Sequence, residues 1–552
     1  MAERVAFWRR NRWLKWAAGG LLLVLVVAAV AVSLLLRHAE PFLRARIVDA
    51  LSEHFHSRVE LDAFHISLVD GLRAEGKGLR IWPPAEVRGV TVPSPAAPGT
   101  AQAGKPLISL EEFRFHAPLH LDPAKPIFIQ TMQLRGLRIN LPPRAHFEKA
   151  AAGRDAAQAA EQPRHGAGLL KFQVGAVECT DAVLVLGTSK PGKLPLEFDI
   201  ARLQLTKIGP DEKMNFEAEL TNAKPVGIIH SKGSFGPWQI GDPGESPIAG
   251  DYRFDHADLA VFKGIAGILT STGHYQGTLR DITADGDADV PDFRLTHFNS
   301  PMPLHTHFHA RVDGTDGDTW LEPVEAMLGH SHFWVQGQVV RVVVAEPGQQ
   351  PHSKGHDIAL DIKVDRARLE DFMHLVSRSG TPLLTGPVTV KAALHIPPGP
   401  EPVHERLKMD GSFDLDQARF TSPKIQGSVE QLSERAQGHP KEAKDGESGE
   451  VRSHMAGEFH MAAGEIKLPA LVYKVPGAEI DLRGTYGLEG GALDFYGKAR
   501  MQATVSQMVG GWKGLLLKPA DRFFKKNGAG AEIPIHIEGT REDPKFGFGT
   551  GR

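Results

Sequence analysis

Val59–Pro84 reads VELDAFHISLVDGLRAEGKGLRIWPP. Its first residues alternate: Val59, Leu61 and Ala63 are apolar, Glu60 and Asp62 between them are acidic, and apolar residues return at Ile66 and Leu68 and again at Leu79 and Ile81. Successive side chains on a strand point to opposite faces, so a period of two predicts strands with one apolar and one polar face. The period recurs at Ile127/Ile129, Met132/Leu134 and Leu137/Ile139/Leu141, and near the other end at Ala478/Ile480/Leu482 and Leu493/Phe495/Gly497/Ala499. GLRIWPP (78–84) and GLRINLPP (136–143) echo one another, which suggests successive copies of one strand-turn unit. The 58 glycines and 39 prolines fall between short apolar segments rather than in one block, as turn punctuation in a β protein does.

Upstream the pattern differs. Ala17 to Leu36 carries no charge and one weakly polar side chain, Ser33. At 1.5 Å per residue it is long enough to cross a hydrocarbon core of about 30 Å. Arg4, Arg9, Arg10, Arg12 and Lys15 precede it against the single acid Glu3, so the positive-inside rule puts the N-terminus in the cytoplasm and the bulk of the chain across the membrane. The apolar run exceeds that of a cleaved signal peptide, so it reads as an uncleaved anchor. Pro41 to Phe55 then sets Leu43, Ile47, Ala50, Leu51 and His54 at helical spacing.

A net charge of −3 offers no global attraction to phosphate backbones, so no nucleic-acid partner is expected. The single cysteine, Cys179, excludes an internal disulfide framework. Loops are expected at Ala85 to Pro106, Arg144 to Gly168 and Ala345 to His356, and a disordered insert at Arg435 to Ser453. Short helices are expected at Arg366 to Ser377 and between Thr504 and Lys526. The second combines Met508, Val509, Trp512, Leu515, Leu516, Phe523 and Phe524 with Lys513, Lys518, Arg522, Lys525 and Lys526. A helix capping the end of the sheet fits that composition first, and contact with an anionic lipid surface second.

Chemistry-bearing motifs are few. GLRAEGKG (71–78) lacks the Ser or Thr of a phosphate-cradling loop and reads as a hairpin turn. LHTHFHA places His305, His307 and His309 at i, i+2 and i+4, one face of a strand, where imidazoles can bind zinc or copper or can simply be the solvated side. Among 26 histidines the solvated reading is preferred. Asp285, Asp287 and Asp289, and the group Asp313, Asp316 and Asp318, miss the EF-hand spacing and read as turn acids. No nucleophile elbow, H-E-x-x-H, C-x-x-C or dinucleotide fingerprint occurs. No catalytic, cofactor-binding or metal-binding residue is therefore assigned, no cofactor is expected, and an enzyme is not expected.

The anchor, the short helix, RVELDAFHISLVDGLRAEGKGLRIWPP at one end, and LRGTYGLEGGALDFYGKARM (482–501) with IPIHIEGTREDP (533–544) at the other, resemble the AsmA-like envelope proteins, the group with the larger TamB and YhdP relatives. The resemblance covers the two ends. It implies a mainly β fold: one transmembrane helix followed by an elongated, curled β-sheet, a groove of repeating strand-turn units with a few short amphipathic helices. It further implies an inner-membrane, single-pass protein with its bulk in the periplasm, involved in phospholipid transport and outer-membrane homeostasis. Phospholipid acyl chains, the inner membrane and outer-membrane or envelope proteins would be its partners.

The chain accordingly divides into a basic cytoplasmic tail (1–16), the anchor (17–36), an N-terminal β region (37–143), a linker (144–168), a central β region (169–344), a loop (345–357) and a C-terminal β region (358–552) holding the insert 435–453. One-face apolar strands must bury that face, and a lipid chain serves as well as a core: burial contributes roughly 25 cal/mol per Å². The alternative function is a membrane-tethered scaffold for outer-membrane protein assembly that carries no lipid.

Overall fold

In the computed structural model the described residues are most of 40–83, 105–117, 127–142, 172–344, 352–439, 451–509 and 530–547, with 518 and 521. The expected anchor, its basic flank and the linker 144–168 lie outside them. Among the described residues no helix is long and apolar enough to cross a membrane. The described chain is mainly β, as expected, with 26 strands and a few short helices. Those of residues 40–55 that are described are helical, as the spacing predicts.

Two compact units share the chain. The first comprises Met1–Ser189, Pro195–Leu220 and Lys232–Pro247, the second Lys190–Leu194, Thr221–Ser231 and Ile248–Arg552. In the first, β1 (Val59–Ser67), β2 (Leu72–Ile81), β3 (Ile108–Ala117) and β4 (Ile127–Leu141) pair in antiparallel succession. β5 (Phe172–Leu186) pairs with β4 in parallel, and β6 (Leu196–Ile208) returns antiparallel to β5. A parallel neighbour needs a long connection to bring the chain back, and residues 143–171 are that connection.

The alternation shifts phase inside these strands. Leu61 and Ile66 are both buried though five residues apart. The slip falls where Gly78 of β2 and Gly136 of β4 each adopt φ +68°, a conformation that L side chains rarely take. A Cβ on Gly78 would lie 2.1 Å from the Asp62 carboxylate, and one on Gly136 2.5 Å from that of Glu111. The GLRI echo is therefore one local geometry used twice. It also corrects the reading of GLRAEGKG: Leu72 to Gly78 belong to strand β2, because both flanking strands hydrogen-bond along it.

β7 (Met214–Ala223) and β8 (Val226–Phe235) follow. The second unit holds β9 (Pro247–Asp258), β10 (Ile265–Ala266), β11 (Ile268–Thr278), β12 (Asp281–Leu295), β13 (Met302–Asp313), β14 (Thr319–Leu328), β15 (Ser331–Val344) and β16 (His352–Arg368). It continues with β17 (Leu384–Thr385), β18 (Pro387–Ile396), β19 (Lys408–Asp416), β20 (Arg419–Phe420), β21 (His454–Ala462), β22 (Glu465–Val475), β23 (Ala478–Gly487), β24 (Ala492–Met501), β25 (Ala531–Thr540) and β26 (Pro544–Gly547). From β11 to β16, then through β18, β19 and β21 to β26, each strand pairs antiparallel with the next. β17 and β20 make a separate short pair. β16 begins at His352, inside the segment expected as a loop, and Asp285, Asp287 and Asp289 lie within β12 rather than in a turn.

Among the described residues, the helices α1 (Leu369–Leu375), α2 (Val403–Arg406), α3 (Pro423–Ala436) and α4 (Val505–Val509) interrupt this unit. α1 and α4 fall inside the two segments where helices were expected. α3 was not expected, having only Ile425, Val429 and Leu432 as large apolar residues. Pro423 in its first turn and Gly438 at φ +88° just past its end bound it. It runs into the insert read as disordered, and at the far side of that insert Ser453 is 3% exposed and donates to the Ala418 carbonyl. Tertiary burial supplies what local composition lacks at these two ends.

Candidate functional site: an apolar sheet face backed by a histidine-aspartate face

Within the second unit, residues facing one side of neighbouring strands fall into rows, one residue per strand. The first row is Val388, Leu415, Met455, Tyr473, Ile480, Ala499 and Ile533. A second is Phe333, Val364, Val390, Phe413, Gly457, Leu471, Leu482, Gly497 and Ile535. A third is Leu360, Leu394, Met409, Met461, Ile466, Tyr486 and Leu493. The outward neighbours of the third row, Asp361, Ala393, Asp410 and His460, are exposed. Such rows follow from period-two strands in register.

The rows differ in what covers them. Val388 and Leu415 are 2% and 1% exposed, and Leu369 and Phe372 of α1 and Val429, Leu432 and Ala436 of α3 pack in the same cluster. Every member of the third row is only partly buried. Aromatic rings are set against glycines on the next strand both in the second row and in the row between it and the third: a Cβ on Gly457 would lie 3.3 Å from the Phe413 ring, and one on Gly411, which pairs with Phe459, 2.8 Å from that ring. A ring seated over a glycine occupies the space that a side chain would otherwise fill on the next strand.

The first unit repeats the scheme. Phe64, Gly76, Phe113, Leu134, Cys179 and Leu203 form one row across six strands. Cys179 is 1% exposed, and burial pushes its thiol up to about 11, which makes it an inert apolar member of that row. On the other face Glu112 meets Arg114 at 2.7 Å, Arg135 at 3.5 Å and Lys77 at 4.0 Å. The hydrogen bond from Arg114, with the fields of Arg114, Lys77 and Arg135, holds its carboxyl below the usual glutamate range.

The polar face of the second unit brings together two motifs that the sequence reading kept apart. β12 and β13 pair so that His305 faces Asp289, His307 faces Asp287 and His309 faces Asp285. Their Nδ1 atoms stand 2.6, 3.0 and 3.4 Å from the carboxylates. A carboxylate only accepts, so Nδ1 carries a proton, and in the neutral ring Nε2 holds the lone pair. His274 of β11 reaches Asp285 from the other side at 3.9 Å, and Glu322 of β14 lies 3.8 Å from His309 Nε2. The hydrogen bond to Asp287, with the fields of Asp287, Asp285 and Glu325, raises the His307 pKa.

Single pairs of the same kind recur: His395 with Asp357 at 2.8 Å, His460 with Asp410 at 2.7 Å and His536 with Asp494 at 3.0 Å. Asp414, Asp416 and His454 bring three ligand atoms within 4.8 Å of one another. Asp313 and Asp318, read as turn acids, are tied into the backbone: the Asp313 N–H donates to the Asp318 carbonyl and the Asp318 carboxylate accepts from the Arg341 N–H. Asp316 lies outside the described residues. At the far end, α4 packs Val505 and Met508 with Ala503, Ala531 and Ile533, so the described part of the basic segment caps the sheet.

Compared with models of known families, with curated proteins and with solved structures, the chain matches none of them.

Proposed function

We propose that the third apolar row, with the aromatic-glycine row beside it, is a binding surface for the acyl chains of phospholipids. On this reading the chain is a membrane-anchored groove protein that serves lipid transport and outer-membrane homeostasis from the periplasmic side of the inner membrane. The observation that carries it is the contrast along one sheet face: the same apolar alternation is sealed by α1 and α3 at Val388 and Leu415 but partly exposed at Leu360, Leu394, Met409 and Met461. An extended acyl chain needs contact area rather than polar anchors, at about 0.8 kcal/mol per buried methylene, and a row crossing seven strands at about 4.8 Å each is comparable in length to such a chain.

A photoactivatable residue introduced into the full chain tests this in cells. Probes replacing Leu360, Leu394 or Met409 are expected to cross-link to phospholipid, and probes replacing Asp361, Ala393 or Asp410 on the opposite face are not. Absence of label at the first three, or equal label on both faces, overturns the reading and favours a scaffold that carries no lipid.

A further inference from the structure

The single histidine-aspartate pairs on the polar face are accounted for as solvated cross-strand contacts of modest energy. The β11–β14 patch differs in multiplicity. Across four adjacent strands, His274, Asp285, His309 and Glu322 form one row of alternating imidazole and carboxylate, with contacts of 3.9, 3.4 and 3.8 Å. The next row holds Asp287, His307 and Glu325, and the one after it Asp289 and His305.

We propose that this patch is a binding site for a late first-row divalent cation, zinc being the reference case, with adjacent β13 histidines supplying Nε2 ligands. The proposal does not depend on the lipid reading. Three features carry it. The first is donor orientation: each β13 imidazole gives its Nδ1 proton to an aspartate of β12, which fixes the tautomer and leaves the Nε2 lone pair for a metal. Ligating histidines are ordinarily supported in this way by a carboxylate behind them.

The second is spacing. Residues i and i+2 of a strand are about 6.6 Å apart on the same face. The ligand atoms of the patch stand apart, since among the described residues Asp414, Asp416 and His454 are the group of three within 4.8 Å of one another. Binding therefore requires two imidazoles to lean together until both reach the usual Zn–N distance of about 2.0–2.1 Å. His307 is the central member, a neighbour of both His305 and His309. The third is charge. Asp285, Asp287, Asp289, Glu322 and Glu325 surround the imidazoles, while the guanidinium two residues beyond His309 on the same strand, that of Arg311, is held by Asp281 through two hydrogen bonds of 2.7 and 2.8 Å. The side chains of His305, His307 and His309 are 44%, 53% and 42% exposed, so an ion can reach them. The converging group at Asp414, Asp416 and His454 offers one nitrogen only, and His454 faces Lys474 on the next strand.

The test is a titration of the full chain, carrying no added polyhistidine and stripped with a chelator, with zinc followed by calorimetry and with cobalt(II) followed by its visible absorption. One saturable site is expected. His307→Ala is expected to weaken binding at least tenfold. Asp287→Asn, which removes the carboxylate behind it, is expected to weaken binding by about 10- to 100-fold. His454→Ala is expected to change it less than twofold. These side chains face solvent, so unchanged unfolding midpoints will show that the variants fold. Absence of saturable binding overturns the proposal, as does wild-type affinity in His307→Ala or loss of binding in His454→Ala.

Discussion

Leu415→Ala and Leu394→Ala delete the same three carbons from two rows of one sheet face, and the proposed function requires them to behave oppositely. Leu415 is 1% exposed, lies between Val388 and Met455 on its neighbouring strands and sits in the cluster to which α1 and α3 contribute. A large-to-small change at so closed a site loses transfer energy and leaves a cavity, costing about 3 kcal/mol. Leu394, between Leu360 and Met409, is partly exposed already. Its truncation removes less area from burial and opens no closed cavity, so about 1 kcal/mol is expected.

Lipid binding should show the reverse order. An acyl chain lying along the third row loses part of its contact with the three deleted carbons, each worth up to about 0.8 kcal/mol. A loss of about 1 kcal/mol corresponds to roughly fivefold weaker retention. Leu415→Ala, on the sealed row, leaves retention unchanged while the protein stays folded. The assays are the urea midpoint of the full chain by tryptophan fluorescence and displacement of a fluorescent phospholipid. Equal destabilisation by the two variants, with lipid retention unaltered by Leu394→Ala, would show that the third row is ordinary core and refute the reasoning.

Further outcomes follow from single sites. Gly78→Ala and Gly136→Ala each place a side chain at φ +68°, so both are expected to destabilise by about 1–2 kcal/mol; a neutral effect of either on the unfolding midpoint would disprove the shared geometry. Cys179, with its thiol raised to about 11, is expected to react with a disulfide reagent at pH 8 about 100-fold more slowly in the folded chain than in urea. Comparable rates would place it outside the buried row. The Glu112 carboxyl is depressed in the folded state, so its contribution to stability is present above the unfolded glutamate range and fades as pH falls through the lower folded value. Glu112→Gln should therefore flatten the loss of stability below about pH 4.5, read as the dependence of the unfolding midpoint on pH; an unchanged acid limb would assign that loss to other carboxylates.

The β character was legible because period-two alternation is a local property: Val59 and Leu61, or Leu493 and Phe495, declare a strand from neighbouring residues alone. The two GLRI phrases likewise announced a shared local geometry. What could not be read was everything set by partners remote in sequence. β2 hid under a turn-like composition because its glycines answer to Asp62 and Phe113, on other strands. α3 hid because its few apolar residues become adequate only against Leu415, Tyr473 and Ile480. The histidine and aspartate triads were each visible, yet nothing local states that the sum of their positions brings His307 opposite Asp287. Alternation thus determined that one face would be apolar. Which stretch of that face the helices seal, and which stays partly exposed, was decided only by tertiary register, because burial depends on what the chain brings back from elsewhere.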